Sequence, residues 1–166
     1  MTEDKICLSD LFPMQRSLDE EIGEKHGVTY ASTAHRRLLA LLVELGEFAN
    51  ETRCFKYWSD KGMGPKGRIL DEYADALHFF LSIGVSLGVS SYTHRFAVKE
   101  KDLSEALLNV YSLSCKLLAD LTPENYLASF SAFLNIIPLL DYSVEDVRGA
   151  YLAKLSVNRN RQKEGY

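Results

Sequence analysis

Leu38-Leu39-Ala40-Leu41-Leu42-Val43-Glu44-Leu45-Gly46-Glu47-Phe48-Ala49-Asn50-Glu51 is the stretch whose reading decides the fold. Leu38, Leu41, Leu42, Leu45 and Phe48 recur at intervals of three and four, which lines them along one face of an α-helix. Ser32 or Thr33 suits the cap of that helix, and the pattern runs on to about Trp58. Residues 59–67, with Gly62, Gly64, Pro65 and Gly67, read as a loop. A second apolar stripe follows from about Arg68 to Leu87, through Leu70, Tyr73, Ala74, Leu77, Phe80 and Leu81. Two such helices joined by a short loop predict an antiparallel hairpin.

Working outward, Met14, Leu18 and Ile22 mark a helix after Pro13, which Gly23 and Gly27 should end. A further helix spans roughly Leu103 to Leu121. Thr122-Pro123-Glu124 has the form of a cap and first turn, and Pro138 should end or kink the helix it opens. Ser143, with Glu145 and Asp146 behind it, opens the last. No stretch alternates as a strand would, and no period repeats. The expectation is one all-α domain over residues 1–166, a bundle of about six helices.

Composition narrows the class. Of 166 residues, 46% are apolar and 25% charged, which excludes a disordered or collagen-like chain. A net charge of −4 argues against a nucleic-acid partner, which calls for a basic face. Cys7, Cys54 and Cys115 form no close pair and leave an odd count, so a disulfide framework or thiolate zinc site is not expected. The acidic start from Met1 to Lys5 lacks a signal peptide's apolar run, and the uncharged run from Phe79 to Thr93 is shorter than the ~20 residues a membrane span needs. A soluble protein of the reducing cytoplasm, with no membrane partner, is expected.

The chemistry lies in acids where leucines would be expected. Leu41, Glu44 and Phe48 occupy one helical row, so Glu44 interrupts an apolar stripe, and Glu47 and Glu51 lie within roughly 60° of it. Glu72, Asp75 and Phe79 repeat the arrangement on the next helix. In a hairpin, Glu44, Glu47, Glu72 and Asp75 would converge, and like charges that close need a cation to stay ionised. An all-oxygen set suits Mg²⁺ or Mn²⁺. Acids at i, i+3 are also the ordinary signature of a solvated face, and spacing alone leaves both readings open.

Lys154, Asn158 and Arg161 fall at i, i+4, i+7 near the C-terminus. They either offset the helix macrodipole or clamp phosphate. An acid cluster facing such a clamp is what phosphoanhydride hydrolysis requires. The segment Gly62 to Gly67 lacks the ending of a Walker A loop. His78 reads first as a structural histidine. Tyr57 and Trp58 read first as packing residues, with a stacking platform for a base as the alternative.

Taken together, Glu44-Leu45-Gly46-Glu47, the run Phe55-Lys56-Tyr57-Trp58-Ser59, the block Glu72-Tyr73-Ala74-Asp75-Ala76-Leu77-His78-Phe79, and the C-terminal Lys154, Asn158, Arg161, Gln162 and Tyr166 resemble a known family. It is the dimeric all-α dUTP diphosphatase family, related to the MazG-type nucleotide pyrophosphohydrolases. Met14-Gln15 before Leu18-Asp19 fits as well, and residues 95–140 carry least of the likeness.

The resemblance implies Mg²⁺-dependent hydrolysis of dUTP to dUMP and pyrophosphate by a metal-activated water. It makes Glu44, Glu47, Glu72 and Asp75 metal ligands, with Glu47 the residue that orients the water. Lys56, Lys154, Asn158 and Arg161 would face phosphates and sugar. Gln15, Trp58, His78 and Phe79 would line the nucleoside pocket, Phe79 stacking on uracil. It further implies a homodimer whose sites draw on both subunits. The chain resembles the compact members, without the inserted lid segments of longer ones. Two alternatives stand beside it: a related pyrophosphohydrolase of other base specificity, dCTP for example, and a helical protein that binds a protein regulator.

Overall fold

A strand pair and seven helical segments make up the described residues, 3–165, of a computed structural model. Met1 and Thr2 of the acidic start, and Tyr166, lie outside them. In chain order the elements are β1 (Lys5–Cys7), α1 (Leu11–His26), α2 (Tyr30–Thr52), α3 (Lys66–Ser86), β2 (Thr93–Arg95), α4 (Leu103–Ala119), α5 (Pro123–Leu134), α6 (Ile136–Leu139) and α7 (Val144–Glu164). Six helices of twelve residues or more carry the architecture, as the sequence led one to expect.

α3 is the axis. Its buried side chains run from Ile69 to Val85, and α1, α2, α5 and α7 all pack on it. α2 and α3 form the expected antiparallel hairpin. α4 joins α2 through the Tyr111 hydroxyl, which donates to the Leu42 carbonyl at 3.0 Å, and pairs with α5 on its other side. Aromatic rings fill the centre: Tyr73 stacks on Phe133 at 4.2 Å between centroids, and Phe80 stacks on Phe130 at 5.1 Å.

Helix ends depart from the sequence reading for local reasons. Thr29, not Ser32 or Thr33, caps α2, and Ser32 returns the bond to the Thr29 N–H, a reciprocal box closed by serine in place of the usual Glu or Gln. α1 runs through Gly23 and stops at Gly27, whose φ of 64° begins the exit. α2 ends six residues before Trp58. Arg53 takes a left-handed conformation (φ 59°), held by its guanidinium on Ser59 Oγ at 2.7 Å and the Lys61 carbonyl at 3.2 Å. Gly64 then returns against α2, its N–H on the Glu51 carbonyl at 3.0 Å, where a Cβ would displace the Glu51 carboxylate.

Asn135 ends α5, and Pro138 sits within α6 rather than terminating the longer helix. The strands were not expected at all. β1 and β2 pair antiparallel with Ile6 opposite His94, both buried between exposed neighbours. Three residues are too few to display a period of two. Cys7, Cys54 and Cys115 are free thiols. No single helix among the described residues is long and apolar enough to cross a membrane.

Candidate active site

α2 and α3 lie side by side with their acids on the shared edge, so the hairpin itself builds the site. Glu44, Glu72 and Asp75 each bring a carboxylate oxygen within 4.8 Å of the others. Burial, then Asp75, Glu47 and Glu72, push the Glu44 carboxyl up to about 7. Burial and neighbouring acids likewise raise Glu72. Burial raises Asp75 despite the opposing pull of Lys154. Such a cluster is unfavourable until positive charge reaches it.

Part of that charge comes from α7. The Lys154 ammonium donates to Asp75 Oδ2 at 2.8 Å and lies 2.9 Å from Asp71 Oδ1, with only 9% of its side chain exposed. The sequence reading expected Lys154 to face phosphate; the structure seats its amine on these two carboxylates. Lys154, Asn158 and Arg161 nonetheless share the cavity wall with the acids, so the expected juxtaposition of acid cluster and basic face is present.

The cavity between α1, α2, α3 and α7 has a volume of about 780 Å³. All four expected acids line it, together with Gln15, His78 and Phe79. Glu47 stands outside the tight trio, between this cavity and a shallower one beside Glu51 and Arg68. Lys56 and Trp58 do not line the cavity. The left-handed turn at Arg53 carries them onto the hairpin's outer loop, where the Lys56 amine lies 5.7 Å from the centre of the Phe55 ring and Trp58 is 64% exposed.

Away from the acids the wall becomes a network of neutral and paired polar groups. From Asp75 to Ser82 along α3 is a rise of ~10 Å. At that far end Asp19, Ser82 and Arg37 accompany Gln15 and His78, and the sequence reading had assigned none of these three. Asp19 accepts from Gln15 Nε2 at 3.0 Å, Tyr30 Oη at 3.0 Å and Ser82 Oγ at 2.7 Å, and pairs with Arg37 at 3.5 Å. His78 Nδ1 is 2.6 Å from Gln15 Oε1, and its ring stacks on Tyr151 at 4.2 Å. Burial pushes the His78 imidazole down to about 4, so it is neutral at physiological pH. A signal for Asp19 exists in the sequence: it stands four residues after Gln15, on the side of α1 that buries Leu11 and Leu18.

An all-α frame whose central hairpin turns three carboxylates toward a Lys-Asn-Arg face defines a class of protein, and comparison with known families agrees. The family model described as dUTPase matches residues 7–166, nearly the whole chain, and the chain belongs to that family. It is a dUTP diphosphatase, a hydrolase of nucleotide metabolism with a nucleotide substrate. A search of curated proteins returns no match.

Proposed function

We propose that the cavity binds dUTP together with Mg²⁺ and releases dUMP and pyrophosphate. The observation that carries this reading is the trio Glu44, Glu72 and Asp75 within 4.8 Å of one another, on the same cavity wall as Asn158 and Arg161. The donor set fits the ion: three carboxylates, no sulfur or imidazole, and charges already in mutual conflict. When bound, Mg²⁺ neutralises phosphate charge and makes water a better nucleophile.

The remaining work falls to the chain's own residues. Glu47 borders the cavity beside Glu44 and Glu72, placed to hold the attacking water and accept its proton. The water oxygen bonds to phosphorus, the bond between the dUMP phosphate and pyrophosphate breaks, and pyrophosphate leaves. Asn158 and Arg161 meet the phosphates, Arg161 as a planar fork. Lys154 favours the ionised form of Asp75 against the effect of burial, and aims it. Phe79 packs against the nucleoside, and Gln15 and His78 lie at the base end.

The functional unit is proposed to be a homodimer. Leu39 and Val43 expose 62% and 50% of their surface one turn apart on α2, and Leu108 on α4 exposes 63%. Such apolar faces commonly mark subunit contacts. A second protomer would also bring its own loop with Lys56 and Trp58, which do not line this cavity within one chain. Sedimentation at equilibrium tests the dimer.

The deciding assay measures pyrophosphate release from dUTP, dCTP, dTTP and UTP, with Mg²⁺ and then with EDTA. Metal-dependent turnover of dUTP in preference to the rest is expected. Turnover unaffected by EDTA would overturn the metal role of the acids.

A further inference from the structure

The far end of the cavity contains an amide whose orientation a single residue dictates. A glutamine side chain has two acceptor lone pairs on oxygen and two N–H donors. Gln15, 3% exposed, sends Nε2 to Asp19 Oδ1 at 3.0 Å, while Oε1 takes His78 Nδ1 at 2.6 Å and the Tyr151 hydroxyl at 3.2 Å. Both oxygen lone pairs and one N–H are thereby used. One N–H remains, on a residue that lines the cavity.

The three contacts differ in what they enforce. A tyrosine hydroxyl donates or accepts, and a neutral imidazole can place its proton on either nitrogen. Both would tolerate the amide turned end for end. A carboxylate accepts only, so Asp19 alone forbids the turned amide. Asp19 is itself fully engaged, taking Tyr30, Ser82 and Arg37 besides Gln15.

We infer that Asp19 is a positioning residue for base selection: it fixes the Gln15 amide so that the cavity is offered a donor and never an acceptor. Resting on the dUTP reading above, this makes the far end complementary to a base edge that carries a carbonyl, as uracil's does. It opposes an edge that carries an amino group, as cytosine's does. A buried donor facing an amino group leaves both unpaired, which is where polar sites discriminate most strongly.

The test separates base selection from catalysis by measuring dUMP and dCMP binding calorimetrically in EDTA, where no turnover occurs. The wild-type protein should bind dUMP at least about tenfold more tightly than dCMP. Asp19→Asn, whose amide can donate, should bring the two affinities to within about threefold of each other, and Asp19→Glu, still acceptor-only, should restore much of the preference. Equal binding of the two by the wild type, or an unchanged preference in a folded Asp19→Asn, overturns the inference.

If Asp19→Asn does not fold, isotope-edited NMR of the wild-type Gln15 side chain decides instead. One Nε2 proton should stay fixed on Asp19 while dUMP shifts the other and dCMP does not; equal response to both nucleotides would overturn the assignment. The outcomes also distinguish the two levels of the argument. A dUMP preference without dUTP hydrolysis would sink the proposed reaction and keep the role of Asp19. dUTP hydrolysis with the preference retained in Asp19→Asn would do the reverse.

Discussion

Lys154 on α7 hydrogen-bonds Asp75 on α3 at 2.8 Å, tying the C-terminal helix to the acid cluster. The contact couples stability and chemistry through one ammonium. Burial opposes its charge, but the bonds to Asp75 and Asp71 win and raise the Lys154 pKa.

Replacing Lys154 by Met should therefore do two kinds of damage. Removing one member of a buried ion pair costs ~3–5 kcal/mol, and Asp75 keeps some water, so a loss of about 2–3 kcal/mol is expected. Turnover should fall by about a hundredfold. Urea unfolding with and without Mg²⁺ measures the first effect; the divalent cation should recover much of the stability and little of the turnover.

Glu44 sets a pH dependence whose sign is fixed. Its folded-state pKa, about 7, lies above the ordinary glutamate value of 4.5 because of burial and the adjoining acids. The folded protein then holds a proton on this group that the unfolded chain has released, so the Glu44 contribution to metal-free stability falls as pH rises from about 4.5 to about 7 and levels off above. His78, held down to about 4 by burial, contributes the opposite slope between about 4 and 6.5, so the Glu44 contribution should appear in EDTA as a decline in the stability of the wild type relative to a Glu44→Gln variant. Saturating Mg²⁺ should flatten it, and Mg²⁺ affinity should rise over the same window.

Glu47→Gln separates water handling from ion binding. Losing a positioned general base lowers rates by roughly 10²–10⁴-fold. Because Glu47 stands outside the trio, Mg²⁺ should still raise the melting temperature of this variant, whereas Asp75→Asn should blunt that rise. Wild-type turnover in Glu47→Gln would remove it from the chemistry.

Gly84→Ala probes the frame far from the acids. A Cβ there would fall 2.4 Å from Tyr126 Oη and 2.9 Å from Phe12 Cε1, and both rings are fully buried. Overpacking of this kind costs ~1–3 kcal/mol. Melting should show a loss in that range, with Mg²⁺ binding unchanged.

Much of this was legible in the chain. The stripe from Leu38 to Phe48 and its counterpart in α3 define the hairpin, because burial on one helical face demands that spacing. Glu44 stood out for interrupting its stripe, and Glu72 and Asp75 for sharing a helical row with Phe79, local patterns visible within two turns. Lys154, Asn158 and Arg161 were recognisable as one face for the same reason. The Thr122 and Ser143 caps were also readable, since each cap oxygen and the backbone N–H that donates to it lie three residues apart.

Other features depend on side-chain contacts beyond one helical turn, most of them between residues distant in sequence, and only the tertiary structure decides them. Arg53 ends α2 in a conformation that arginine rarely adopts, because Ser59 and Lys61 hold its side chain, and that turn removes Lys56 and Trp58 from the cavity. Lys154 meets Asp75 across 79 positions, so its amine goes to a carboxylate. The Gln15–His78 and Asp19–Ser82 bonds each span 63 positions. Periodicity reports which face of a helix is buried, not what polar group waits opposite; the direction of a hydrogen bond is settled only when both partners are brought together.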